Sequence, residues 1–160
     1  MDGVLVDFDD GYKQLTDIET KSPEVRISSV FWNTFRRGLK KEKIDEKDFW
    51  ANLKWIEKGG NKEGEKLWEY IEKYNPNILS APSSNPSSKE GKLEWINKNL
   101  TNVKEIFLVP ANEKQEFANP NAILIDDRPS NIEQWRAKGG IGILHASANE
   151  TIERLKKLGL

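Results

Sequence analysis

Cysteine is absent, which excludes disulfides, thiolate zinc sites and a cysteine nucleophile. Histidine is reduced to His145. It follows an apolar segment that reads as a strand, where a structural or exposed role is expected rather than catalysis. Long apolar runs are missing too. None approaches the ~20 residues of a membrane span, and no signal peptide is visible. A cytoplasmic protein without a membrane partner is therefore expected. The formal net charge is −1, so no whole-protein field draws the chain to nucleic acid or membrane. Charged residues mix in sign, as in Lys54, Glu57, Lys58 and Glu63, Glu65, Lys66, which reads as solvated helix faces. No basic stripe interleaves with aromatics, so a nucleic-acid polymer is not expected as a partner.

What is present begins with Ala122-Ile-Leu-Ile-Asp-Asp-Arg-Pro-Ser-Asn131. A short apolar run of this kind reads as a buried strand. The C-terminal ends of such strands are where open α/β sheets bind ligands. Two adjacent carboxylates repel, and a hard cation such as Mg²⁺ relieves that repulsion by taking their oxygens. Asp126 and Asp127 are thus metal-ligand candidates. Asp-Asp-Arg-Pro also suits a surface turn.

The 160 residues suit one domain, or one core with a modest insertion. Gly3 to Phe8 is apolar and β-branched. From about Tyr12 to Tyr74 the pattern is helical or irregular and rich in aromatics, broken at Gly59-Gly60-Asn61. An amphipathic helix around Leu67, Trp68 and Ile71 ends near Asn75-Pro76. Strands are then expected at Asn77–Ser80, Glu105–Val109, Ala122–Ile125 and Gly140–Leu144. Capping boxes at Ser87/Glu90, Ser130/Glu133 and Ser147/Glu150 open the intervening helices, and Gly139-Gly140 stops the second of them. Alternation of helix and strand predicts a parallel sheet with covering helices.

Ser80 ends one strand, Lys92 lies early in the next helix, and Asp126-Asp127 end another strand. A hydroxyl donor, a fixed cation and a metal pair at one sheet edge make a phosphate site. In this order, with Asn131 following, they resemble the haloacid dehalogenase superfamily of phosphohydrolases. Met1-Asp-Gly-Val-Leu-Val-Asp-Phe8 further resembles the opening of its 5′(3′)-deoxyribonucleotidase branch. Ile-Leu-Ser-Ala-Pro82, Gly-Lys-Leu-Glu-Trp-Ile96 and the Phe49-Trp50 pair are similar to that branch as well.

The resemblance implies an α/β, Rossmannoid parallel sheet with helices on both faces. Residues 1–11 and 67–160 would form the core and 12–66 a small helical cap. It implies Mg²⁺-dependent hydrolysis of a phosphate monoester, above all a (deoxy)nucleoside monophosphate, through an aspartyl-phosphate. Asp2 would be the general acid and base. Ser80 and Ala81 would bind the phosphoryl oxygens, and Lys92 the nucleophile and phosphate charge. Asp126 and Asp127 would hold Mg²⁺, with Asn131 shaping the loop. Phe49 and Trp50, being adjacent, cannot share one helix face. At least one could meet a nucleobase at the pocket mouth, although core packing accounts for them equally. Trp55, Trp68 and Trp95 are expected in the core.

Two registers stand for the first motif. In the one the motif favours, the attacking Asp belongs one position before Met1, and the central strand lies upstream. That register predicts a catalytically dead chain with a gap in its core, a truncated or inactive phosphate- or nucleotide-binding relative. In the other, Gly3 to Val6 form the strand and Asp7-Phe-Asp9 carries the nucleophile and acid. Under the first register, Asp7, Asp9 and Asp10 instead favour a helix N-terminus. A different small phosphometabolite is the alternative substrate, because substrate choice lies in the cap.

Overall fold

The computed structural model describes residues 1–160. Its helices are α1 (Phe8–Thr16), α2 (Ser29–Glu42), α3 (Glu46–Ala51), α4 (Glu63–Ile71), α5 (Ser87–Asn99), α6 (Pro129–Ala137) and α7 (Ala148–Lys157), with strands β1 (Ile78–Ser80), β2 (Ile106–Leu108), β3 (Ile123–Asp126) and β4 (Ile141–Leu144). Short 3₁₀ segments cover Pro23–Ile27, Glu72–Tyr74 and Ala111–Phe117. The fold is mixed α/β with parallel strand pairs, as expected.

The sheet is not continuous. β1 pairs with β2, and β3 with β4, both parallel, and no ladder joins the pairs. Each pair is a strand–helix–strand unit, the connection that parallel strands require. Between β1 and β3 lies a slot of about 530 Å³ lined mainly by apolar side chains, among them Val4, Leu5, Ile78, Leu79, Ile123 and Ile125. Alternate side chains of β3 point to opposite faces. Leu124 joins Ile132 and Trp135 in a small cluster under α6, whereas Ile125 packs on the main core. The sheet is therefore covered on both sides.

Gly3 to Val6 do not form the strand that the second register requires. They turn: the Leu5 and Val6 amides both donate to the Met1 carbonyl, at 2.8 and 3.2 Å. Gly3 permits this with φ at +72°, a conformation that costs an L side chain about 1–2 kcal/mol. Asp7 caps α1, accepting from the Asp10 amide at 3.0 Å, with Asp9 and Asp10 in the first turn. The three acids thus serve a helix N-terminus.

α1, α2 and α3 close around Phe8, Tyr12, Phe31, Phe35, Phe49 and Trp50, and this cluster is continuous with buried residues of α4, α5 and α7. Tyr12 stacks on Phe31 at 4.2 Å. Gly91 brings α5 against α3 so closely that a Cβ there would lie 2.3 Å from the Lys47 carbonyl oxygen. Leu67 and Trp68 are buried on α4, whose start at Glu63 precedes the residues that its apolar pattern marks.

Two of the three expected capping boxes do not form. The Ser87 amide is satisfied by Asn85 Oδ1 at 3.1 Å, so α5 needs no cap from Ser87. Ser130 Oγ instead donates to Glu24 at 3.0 Å. Ser147 does cap α7, through the Glu150 amide at 3.3 Å. Gly139, at φ +88°, ends α6 with its amide on the Arg136 carbonyl.

His145 is buried, and its Nδ1 lies 2.9 Å from Thr151 Oγ1. Burial, with help from the Lys58 charge, pulls the imidazole from 6.5 down to about 4. The unfolded chain therefore binds a proton that the folded chain refuses. The associated stability is complete above pH 6.5 and is lost as pH falls toward about 4. Between pH 7 and 5 this amounts to about 2 kcal/mol. Urea unfolding of His145→Gln at both pH values should show a correspondingly smaller acid loss than the parent chain.

Candidate active site

β1 and β3 end at the same edge, in Ser80 and Asp126. One face of α5 carries Ser88, Lys92 and Trp95, all fully buried, and so turns Lys92 inward toward that edge. Its ammonium donates to both oxygens of Asp2, at 2.7 and 2.6 Å, and to Ser80 Oγ at 3.3 Å. The Trp50 ring lies 4.0 Å from Lys92 Nζ, giving the cation a π face in place of water. Burial pushes the Lys92 ammonium below its usual range, and Asp2 opposes that push. For Asp2, burial acts upward, but Lys92 and the Met1 amine outweigh it and hold the carboxyl low. Asp2 is thus ionised, with its proton-accepting oxygens engaged by one fixed donor.

Asp126 is held from three sides. Lys114 Nζ donates to Oδ2 at 2.6 Å, and Asn131 Nδ2 and the Arg128 amide donate to Oδ1 at 2.9 and 3.0 Å. Burial would raise this carboxyl, but Lys114 dominates and lowers it. Asp127 has a weaker hold. Arg26 reaches it at 3.1 Å while also binding Asp9 at 2.8 Å. Burial, together with the neighbouring Asp126 charge, pushes Asp127 up to about 6 despite Arg26. A Cβ on Gly3 would lie 1.9 Å from Asp127 Oδ2. Gly3→Ala should therefore displace Asp127 and cost at least ~1 kcal/mol of backbone strain; thermal unfolding and the variant's coordinates would check both.

These groups open onto a cavity of about 680 Å³, within the range of small-molecule sites. Asp2, Ser80, Ala81, Asp126, Asp127 and Asn131 line it. Lys92 is sealed behind Asp2. Trp50 forms part of the wall, whereas Phe49 turns into the aromatic cluster, edge-on to Phe35 at 4.9 Å. From α2, Trp32 and Arg36 reach the cavity mouth. Asp7 and Asp9 do not line it.

Sequence reasoning missed Lys114, Arg26, Arg128 and Glu24. Glu24 ties the 3₁₀ segment to α6, accepting from the Ser130 amide at 3.0 Å and from Arg128 at 3.3 Å. Lys114 and Arg26 lie in short 3₁₀ segments without apolar period, so nothing local distinguished them from solvated charges.

No group of three or more acidic or histidine side chains is close enough to cage a metal. Mg²⁺ does not need one: it takes one or two carboxylates and completes its shell with water and phosphate oxygens. Asp126 and Asp127 fit that chemistry, and an ion there would compete with Lys114 and Arg26 for their oxygens.

A family model described as 5′ nucleotidase, deoxy (pyrimidine), cytosolic type C protein matches residues 1–158. No curated protein and no solved structure matches the chain.

Proposed function

The chain belongs to the family of 5′ nucleotidase, deoxy (pyrimidine), cytosolic type C proteins, and on that premise we propose that its cavity serves Mg²⁺-dependent hydrolysis of deoxyribonucleoside monophosphates. The observation that carries this reading is the convergence of Asp2, Ser80, Lys92 and Asp126 at one strand edge. The phosphate would sit on Ser80 and the Ala81 backbone, with Lys92 behind them fixing Ser80 and Asp2 in place. Asp2, ionised while Lys92 holds it, would have to take up a proton as substrate binds before passing it to the leaving 5′ oxygen, and would then accept one from the attacking water. Asp126 and Asp127 would hold Mg²⁺, which neutralises phosphoryl charge when bound. Trp32 would give the base an apolar wall, worth about 1–3 kcal/mol if the base stacks on it, while Trp50, packed against Phe8 and Lys92, would close the floor of the cavity. The cytosol is the proposed location.

The motif order puts the attacking carboxylate two positions ahead of Asp2. Asp2, Asp126 and Asp127 each already face a cation, which supports binding by residues 1–160 and leaves the attack to a further carboxylate. Calorimetry and phosphate release across deoxynucleoside monophosphates and sugar phosphates would test both parts. The expected result is Mg²⁺-strengthened nucleotide binding by residues 1–160, weaker sugar-phosphate binding, and turnover only when an Asp is joined ahead of Met1. Equal binding of sugar phosphates would remove the nucleotide assignment. Turnover by residues 1–160 that Asp2→Asn abolishes would make Asp2 the attacking group.

A further inference from the structure

Arg26 lies on the 3₁₀ segment ahead of α2 and lines the reaction cavity, with only 8% of its side chain exposed. Its backbone is fixed on both sides. The Arg26 carbonyl accepts from Trp32 Nε1 at 2.6 Å. Two residues earlier, Glu24 accepts from the Ser130 amide and hydroxyl, each at 3.0 Å. The guanidinium lies over the Phe8 ring, 5.3 Å from its centroid, a face that attracts a cation. Its donors are unequally served. Nη2 donates to Asp9 at 2.8 Å and Nη1 to Asp127 at 3.1 Å. Nε is buried and meets no acceptor. A buried charged donor left unmet costs free energy, which a ligand oxygen would recover.

The two acceptors differ in what they do when the cavity fills. Asp9 does not line the cavity, so its hold on Nη2 persists. Asp127 is a candidate metal ligand, and an oxygen that it gives to Mg²⁺ is withdrawn from Nη1. We propose that Arg26 is an exchangeable phosphate ligand: tethered by Asp9, it passes from Asp127 to the phosphoryl oxygens of a bound monoester as Asp127 turns to the metal. This role rests on the phosphate and metal site proposed above, and adds to it a cation carried by a segment outside the core strands.

Three features favour the exchange. Burial works against the charge of Arg26, but Asp127, Asp9 and Asp2 outweigh it, so the guanidinium stays charged and must stay paired. Asp2 and Ser80 line the same cavity, so a phosphate held at Ser80 brings the replacement anion. Several N–H donors on one planar cation also suit phosphate oxygens. Arg128 has a buried Nε without a partner as well. Its terminal nitrogen, however, is held by Glu24 and Ser130 at 3.3 and 3.5 Å, neither of which a metal at Asp126 and Asp127 would take away.

Calorimetry of residues 1–160 with Mg²⁺ and with inorganic phosphate, at mildly alkaline pH where Asp127 is ionised, tests the exchange. Arg26→Gln removes the cation that competes for Asp127, so Mg²⁺ alone should bind severalfold more tightly. The same substitution should weaken inorganic phosphate, measured in saturating Mg²⁺, by about tenfold or more. Arg26→Lys should leave Mg²⁺ near the parent's affinity and lose part of the phosphate affinity. Opposite signs for the two ligands mark an exchanging contact, since a purely structural role would weaken both or neither. Side-chain nitrogen NMR of the unaltered chain needs no substitution. The Arg26 Nε proton should exchange quickly with Mg²⁺ alone and slow by about tenfold or more when phosphate is added. Unchanged phosphate affinity in Arg26→Gln overturns the proposal, as does a loss of both ligands or an Nε proton indifferent to phosphate. A parent chain that binds no phosphate in Mg²⁺ overturns it together with the phosphate site. Preference for sugar phosphates over nucleotides would remove the nucleotide assignment and leave the role of Arg26 standing.

Discussion

Lys92→Met is expected to lower the unfolding free energy by about 3–5 kcal/mol. The side chain is fully buried, and its ammonium makes two bonds to Asp2. Methionine fills similar volume, so the loss comes from charge and not from a void. Asp2, partly buried at the cavity wall, would be left near Asp127 without its cation, and the stranded charge is the costly half of a broken pair. For a chain of this size the midpoint of thermal unfolding should drop by roughly 10 °C. The sign of the pH dependence should reverse. In the parent chain Asp2 is held below its ordinary range, so its contribution is present above the unfolded value and lost on acidification. In the variant, burial pushes the carboxyl up, and mild acid should restore part of the stability by protonating it. Adding Asp2→Asn should recover part of the loss at neutral pH, since the stranded charge is gone. Urea unfolding of the parent, both single variants and the double variant gives the coupling directly. A near-zero coupling energy would remove the ion pair as an organising contact.

Trp50→Ala should cost a comparable ~3–5 kcal/mol for a different reason, the cavity left by a large buried ring. Trp50 stacks on Phe8 at 5.0 Å and meets Phe49 edge-on at 5.5 Å. Its Nε1 donates to Glu46 Oε1 at 3.3 Å, and its face covers Lys92. Trp50→Phe separates these functions. Phenylalanine keeps a π face for Lys92 and most of the packing, but loses the donor to Glu46, a deficit of about 1–3 kcal/mol. Glu46 also binds Ser83 and accepts from Asn85 Nδ2 at 3.0 Å, so the loop beside Ala81 should loosen in both variants. Chemical denaturation should rank Ala below Phe below the parent. Nucleotide binding should weaken in both, and more in the alanine variant, because the cavity wall is gone.

Strand ends were the most legible part of the sequence. An apolar run that stops at Ser80 or at Asp126-Asp127 carries its boundary in its composition, and β1 and β3 end there. Lys92 was legible only by its order in the set, since one lysine in a polar helix has no local mark. Gly3 to Phe8 were ambiguous for a physical reason. A β-branched run satisfies a buried turn as well as a strand, and the decision rested on Gly3 and on the Asp7 cap. Ser87 and Ser130 carried helix-start signals, but better partners in Asn85 and Glu24 took the hydrogen bonds. The cations beside the acids were not legible at all. Arg26 lies 101 residues from Asp127 in sequence, and such a pairing exists only once the chain has folded.

Those cations have a thermodynamic consequence. Asp2 faces Lys92, Asp126 faces Lys114, and Asp127 faces Arg26. The cavity is thus already electroneutral in its three central pairs. A phosphate dianion arriving alone unbalances it in one direction, and a divalent cation alone unbalances it in the other. Together they cancel. For the proposed nucleotide and Mg²⁺ the expected result is mutual enhancement, and by linkage each would strengthen the other by the same factor. On the proposed reading, the protein would admit a neutral ion-and-nucleotide complex more readily than either component presented singly.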